Sequence, residues 1–250
     1  MKKIFIIGLM SLLSLTANVR AQDLAVQADE AYRQSDYATA IDQYEAVLAS
    51  GYTSANLYYN LGNAYYRSNQ MGRAILNYER ALRLRPGMKE ARENLALAES
   101  HTADRIVQLP KLFIVKWIDY MCTHITPSVW RVIWLVLFTL LAASVVVLVL
   151  GRSLTLKRTG LGCGIGTLVL LICATLLLLD STHRYNAHAE AVILDAATTI
   201  KGSPEPQSVD KMILHEGTKA TIGDSLTGWY KITIADGTTG WCRAESLERI

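Results

Sequence analysis

Reactive side chains are scattered along this chain. The five histidines, His101, His124, His183, His188 and His215, show no HExxH or other metal-ligand spacing. The four cysteines, Cys122, Cys163, Cys173 and Cys242, contain no CxxC pair. No nucleophile elbow, phosphate loop or strand-end pair of carboxylates is present. The expected class is therefore non-enzymatic, with no cofactor and no metal. What recurs is chemistry for recognition. Tyr32-Arg33 and Tyr66-Arg67 stand 34 residues apart, and a guanidinium can hold a carboxylate through paired hydrogen bonds.

That offset extends well beyond the arginines. Ala40/Ala74, Ile41/Ile75, Tyr44/Tyr78, Glu45/Glu79 and Leu48/Leu82 repeat at the same distance. A period of 34, with small residues where helices must touch, resembles the tetratricopeptide repeat, a two-helix unit that stacks and holds peptides. The repeats fall at about 21–54 and 55–88. In the second, Tyr58, Leu61, Gly62 and Tyr65 mark the first helix, Ala74, Tyr78 and Ala81 the second, and Pro86 the stop. Gly62 and Ala74 let the helices approach closely. The first repeat is looser, with Gln27 and Ala28 on its first helix and Tyr52 in place of the terminal proline. A further helix over 88–105, carrying Leu95 and Ala98, caps a domain spanning 22–105. About three repeats are normally needed for stability, so a membrane neighbour or a partner is expected to supply the missing burial. The resemblance implies that the first helices line a concave peptide-binding groove. Matching positions are Tyr32, Arg33, Tyr59, Asn63, Tyr66, Arg67 and Asn94, residue types that also recur in such repeats for structural reasons.

The rest of the chain alternates between lipid and water chemistry. Residues 1–21 read as a signal peptide: Lys2 and Lys3, an apolar run Ile4–Leu15, then Val19-Arg20-Ala21 before Gln22. An uncleaved anchor would export the chain equally well. Without the leader's three basic residues the chain carries 22 of each sign, which gives no electrostatic reason to expect a nucleic-acid partner. No charge occurs from Val132 to Leu150 or from Thr159 to Leu179, and each run can cross about 30 Å of hydrocarbon. These predict transmembrane helices at 129–150 and 159–180, joined by a basic loop, 151–158, that stays cytoplasmic. Both flanking domains then lie outside the cytoplasm. Trp117, Tyr120, Trp130 and Trp134 gather near the outer end of the first span, and Ile114, Trp117, Ile118, Met121 and Ile125 recur at helical spacing. Residues 106–128 thus read as an interfacial amphipathic segment. Gly160/Gly164 and Gly162/Gly166 suit close packing of the two spans. Neither span carries a buried charge, which argues against transport. A Cys122–Cys242 bridge is the one pairing an oxidising compartment leaves open.

Beyond a short polar linker, β-branched runs alternate with turns: Ala189–Leu194, Lys211–Leu214, Lys219–Ile222, Trp229–Ile234 and a last strand from Gly240-Trp241. Five strands predict a small closed barrel. The string HEGTKATI…GWYKITIADGTTGW resembles bacterial SH3-like domains over 188–250. Trp229, Tyr230 and Trp241 are its candidate ligand surface. Alternation puts Trp229 opposite Tyr230, Ile232 and Ile234, either as an open platform for a peptide or glycan or as a lid on the barrel mouth, while Trp241 is expected in the core. The predicted fold class is a multidomain membrane protein with an all-α tetratricopeptide repeat domain, two transmembrane helices and a small all-β SH3-like barrel. That order of parts resembles BatE-type proteins of the bacterial aerotolerance (Bat) operon. The resemblance implies a two-pass protein of the bacterial inner membrane with both domains periplasmic. It further implies a scaffold for membrane or periplasmic proteins, von Willebrand-type Bat proteins among them. Two other readings are a peptidoglycan-binding envelope sensor and a regulator of a cell-wall hydrolase.

Overall fold

The computed structural model describes residues 22–106, 112–186 and 190–250. The expected leader and His188 lie outside the described residues. The chain divides into two compact units, one formed by Met1–Leu109 with Ala189–Ile250 and the other by Pro110–His188.

In the first unit, α1 (22–33), α2 (Tyr37–Ala49), α3 (Ala55–Arg67), α4 (Met71–Leu84) and α5 (Lys89–Ser100) stack in succession. The 34-residue period is visible in the turns as well as in the helices. Ser35 and Asn69 occupy equivalent places with φ of 64° and 60°. After each, the next residue's amide reaches back to a carbonyl in the helix just ended, Asp36 to Ala31 and Gln70 to Tyr65, both at 2.9 Å. This left-handed residue followed by a six-to-one bond satisfies carbonyls that the helix end leaves open. Asp36 caps α2 through the Thr39 amide, and Ser54 caps α3 through the Leu57 amide. Gly62 allows α3 and α4 to meet, since a methyl there would lie 2.7 Å from the Tyr78 ring.

Seven strands follow: β1 (Glu190–Ile193), β2 (Ala197–Lys201), β3 (Asp210–His215), β4 (Lys219–Leu226), β5 (Trp229–Ile234), β6 (Thr239–Arg243) and β7 (Leu247–Arg249). They form one antiparallel sheet in the order β3-β2-β6-β5-β4-β1-β7. This corrects the expected closed barrel of five strands: β3 and β7 end the order and do not pair with each other. β2 escaped the sequence reading because only residues 194–196 separate it from β1, with neither glycine nor proline to mark the break. β4 runs to Leu226, past a register shift between Ile222 and Asp224. Ile193, Ile200, Leu214, Ala220, Ile232 and Cys242 make the sheet's inner core. Burial pushes the Cys242 thiol up to about 11. Cys122 donates its own thiol to Asp180, and the Cys122–Cys242 bridge is not formed.

The sheet packs on the repeats instead of standing apart from them. Val192 and Ile250 belong to the same buried cluster as Ile75, Tyr78, Leu95 and Ala98. Gly217, at φ +85°, admits this approach, because a side chain there would meet Thr102 at 2.6 Å and Ile75 at 2.8 Å. Polar bonds surround the apolar contact. Arg80 donates to Glu248 (2.8 Å) and to the Arg249 carbonyl (2.6 Å), and Lys219 bridges Glu79 (2.9 Å) and Glu190 (3.1 Å). Asp104 accepts the His215 amide (2.7 Å) and the Thr218 hydroxyl (2.6 Å), with the His215 ring also at 2.7 Å. The burial that two repeats and a cap lack therefore comes from the chain's own sheet.

The second unit holds α6 (Phe113–His124), α7 (Pro127–Leu150) and α8 (Leu154–Asn186). α7 and the Leu154–Thr182 part of α8 are long and apolar enough to cross a membrane. Only residues 151–153 separate them, so Lys157 and Arg158 ride on the first turns of α8 and not in a loop. The glycines divide by face. A methyl at Gly160 would lie 3.0 Å from the Leu148 nitrogen and one at Gly164 2.9 Å from Ser144 Oγ, whereas Gly162 and Gly166 have nothing within 4 Å. Gly160 and Gly164 thus seat α7 on α8, and the expectation for the other pair is corrected. Residues two apart on a helix point in different directions.

Candidate functional site

Two polar triads tie successive repeat helices together at the same 34-residue offset. In the first, Tyr44 and Asn60 (3.1 Å) both donate to Asp29 Oδ1. In the second, Tyr78 (2.8 Å) and Asn94 (2.8 Å) both donate to Asn63 Oδ1. Asn94 also reaches the Tyr59 hydroxyl at 3.3 Å. Burial pushes the Tyr78 phenol well above its usual range, which keeps it a neutral donor.

The second triad floors a cavity of about 250 Å³ lined by Tyr32, Tyr59, Asn63, Tyr66, Arg67, Tyr78, Asn94 and Leu97. Six of the seven residues expected in the groove meet there. Arg33 is not among them; it is exposed and pairs with Glu30 at 3.7 Å on its own helix. Leu97 was not singled out, and Tyr78 was read only as packing between helices, yet the offset that pairs Tyr78 with Tyr44 also marks its hydroxyl as a repeated donor.

Arg67 sets the electrostatics of this cavity. Its Nε donates to the Tyr37 hydroxyl at 3.0 Å, and its guanidinium lies 5.3 Å from the Tyr37 ring centroid. Tyr37 itself stands edge-on to Tyr32 at 5.4 Å, so the phenol that holds the cation is packed in turn. Among the described residues no carboxylate pairs with Arg67. The Tyr37 bond and charge raise its pKa further, so it stays cationic at any physiological pH. Burial raises the Tyr32 phenol, and the Arg67 charge offsets only part of that. Asn63 Nδ2 and Asn94 Oδ1 have no protein partner among the described residues. The wall thus offers a fixed cation, one amide donor, one amide acceptor and several phenol faces. A short peptide segment carrying a carboxylate matches it in size and in bonding.

The sheet's outer face differs from expectation. Trp229 is only 9% exposed, which leaves the covered of its two readings, and Trp241 is half-buried where a core position was expected. β6 turns Gly240 and Cys242 inward, which by alternation puts Trp241 outside. Trp229 is also absent from the inner core cluster but lies beneath Arg243, whose guanidinium is 5.4 Å from its ring centroid. It therefore presents no open aromatic platform. Tyr230 packs against the core with Arg249 5.0 Å from its centroid. These three residues do not converge on one surface as the repeat residues do. Among the described residues, no group of three His, Cys, Asp or Glu side chains is placed to hold a metal ion.

Stacked helix pairs with a polar cavity on one face define a helical repeat protein. The tetratricopeptide repeat family profile matches the chain twice, over residues 26–89 and 59–102, less than half of its length. Residues 26–102 carry tetratricopeptide repeats, modules that are typically non-catalytic and bind proteins. No curated protein matches the chain.

Proposed function

We propose that this chain is a non-enzymatic scaffold of a bacterial inner membrane. α7 and α8 anchor it, and its repeat cavity, held outside the cytoplasm, binds a carboxylate-bearing segment of a protein partner. One observation carries the reading: Arg67, fixed by Tyr37 on the wall of a tyrosine-lined cavity, has no carboxylate partner among the described residues. A charge on a binding wall with no internal partner is complementary to an anionic ligand. Membrane anchorage is supported by the length and apolar character of α7 and α8. The shared core of residues 22–106 and 190–250 supports a hairpin that leaves and re-enters one compartment. The order of parts, similar to that of BatE-type proteins, supports a von Willebrand-type membrane protein of an aerotolerance complex as the partner.

A photo-crosslinking amino acid at Leu97, on the cavity rim, tests the reading in living cells. The expected product joins this chain to such a membrane protein. Arg67→Glu should lower its yield roughly tenfold, the equivalent of losing one charge-assisted bond of about 1.5 kcal/mol. Thermal stability should hold, because Arg67 is exposed. Equal yield from the variant would remove the cavity as the binding site.

A further inference from the structure

We propose that α6 is a lipid-surface helix whose exposed apolar side chains lie at the boundary between the headgroups and acyl chains of a phospholipid bilayer. This rests on the reading of α7 and α8 as membrane spans. Phe113 is 80% exposed, Trp117 55% and Tyr120 56%, with Ile114 and Val115 also uncovered. Such a continuous apolar surface is unfavourable in water and marks a contact site. Its position says what the contact is. Cys122 Sγ lies 3.3 Å from Asp180 Oδ2 and 4.0 Å from the Leu177 carbonyl, so α6 packs on α8 where its uncharged run ends in a carboxylate. That level is the polar edge of the span.

α6 does not continue α7 into the hydrocarbon. Ile125 (ψ 118°) and Thr126 (ψ 154°) are both extended, and Pro127 opens α7, so the helix is broken between them. Twelve residues reach about 18 Å, too short to cross about 30 Å of hydrocarbon. Lys116, Asp119 and His124 interrupt the apolar sequence, which bars full immersion. Aromatic side chains interleaved with charge are the composition that settles at headgroup depth, where Lys116 can extend its ammonium into water. The exposed surface also continues into Val129 and Val132 at the start of α7, so one lipid phase covers both.

Two single-tryptophan forms of the full chain, retaining Trp117 or Trp134 with phenylalanine elsewhere, test this in vesicles of brominated phosphatidylcholine. The expected result is loss of Trp117 emission that is stronger with bromine near the headgroups than deep in the chains, together with quenching of Trp134. Quenching of Trp134 but not Trp117 overturns the role of α6 while the spans stand. A blue-shifted but unquenched Trp117 has the same force, since protein, either a second copy or a partner, then covers the helix. Trp117 quenched best by deep bromine overturns it too. If neither residue is quenched, the membrane reading itself fails and takes α6 with it. Hydroxyl-radical footprinting of the unaltered chain in nanodiscs needs no variant: Phe113, Trp117 and Tyr120 should be protected relative to exposed Tyr52. Equal modification rejects the proposal.

Discussion

Asp29 and Asn63 occupy one place in successive repeats, and each accepts from a tyrosine and an asparagine of later helices. An amide chosen from the sequence for ligand contact thus spends its carbonyl on holding helices and keeps its amino group for the cavity. Residue type alone cannot separate those roles, because both need the same polar group at the same position. Asp104 spends its carboxylate wholly on distant partners, His215 and Thr218. Burial pulls its pKa upward, but bonds from Thr218 and from the amide and ring of His215 outweigh this and hold the carboxyl below its usual range. A depressed folded pKa means stability that is complete above the unfolded value, about 3.9, and lost as pH falls through the lower folded value. Asp104→Asn should cost about 1–3 kcal/mol at neutral pH through weakened acceptor bonds. In denaturant titrations its deficit against the unaltered protein should shrink below about pH 4. A deficit independent of pH would show that the charge of Asp104 is not what matters.

At the scale of elements, the sheet takes a place that the next repeat would have filled. Glu45 accepts the Tyr65 hydroxyl one repeat on. Its equivalent, Glu79, would meet Glu99, because Glu99 stands 34 residues after Tyr65. Burial and the neighbouring Glu79 both raise the Glu99 pKa, while Lys219 from β4 lowers it and bonds Glu79 directly. A lysine from outside the array thus resolves a carboxylate pair that the array itself creates. Lys219→Ala should lower stability by about 1–3 kcal/mol, less than a fully buried pair because the ammonium keeps some contact with water. Adding Glu99→Tyr should restore much of that loss by giving Glu79 the partner Glu45 has. Chemical denaturation of the two variants decides it: no recovery in the double variant would mean that Lys219 acts on something other than Glu79. The repeat helices were legible from periodicity, and α7 and α8 from their uncharged apolar runs. β2 was not, for want of a turn residue, and the choice between an open and a covered Trp229 was not, because Arg243 covers an outward side chain from the same face.

For the whole molecule, the shared core has a consequence for sidedness. Residues 22–106 and 190–250 bury Ile75, Val192 and Ile250 together, which demands that both segments occupy one aqueous compartment. If the chain crosses a bilayer, it crosses an even number of times between them. A membrane-impermeant thiol reagent should therefore label cysteines introduced at exposed Tyr52 and at exposed Leu226 from the same side. Labelling from opposite sides would be incompatible with the shared core. Under the proposed inner-membrane topology that side is the periplasmic one, because a short basic connection stays inside.

Periodicity and composition were enough to determine the repeats, the two apolar helices and a β-rich C-terminal region. A 34-residue identity pattern, an uncharged run and β-branched alternation each record a local geometry that the chain must satisfy wherever it goes. The resemblance to the repeat family, and not composition, named six of the cavity residues. What packs on the outside of α4, which glycines face a neighbouring helix, and whether the sheet closes depend on residues far apart in sequence meeting at contact distance. Those choices are made by competing burial and pairing energies across the molecule, and only the tertiary structure records which of them won.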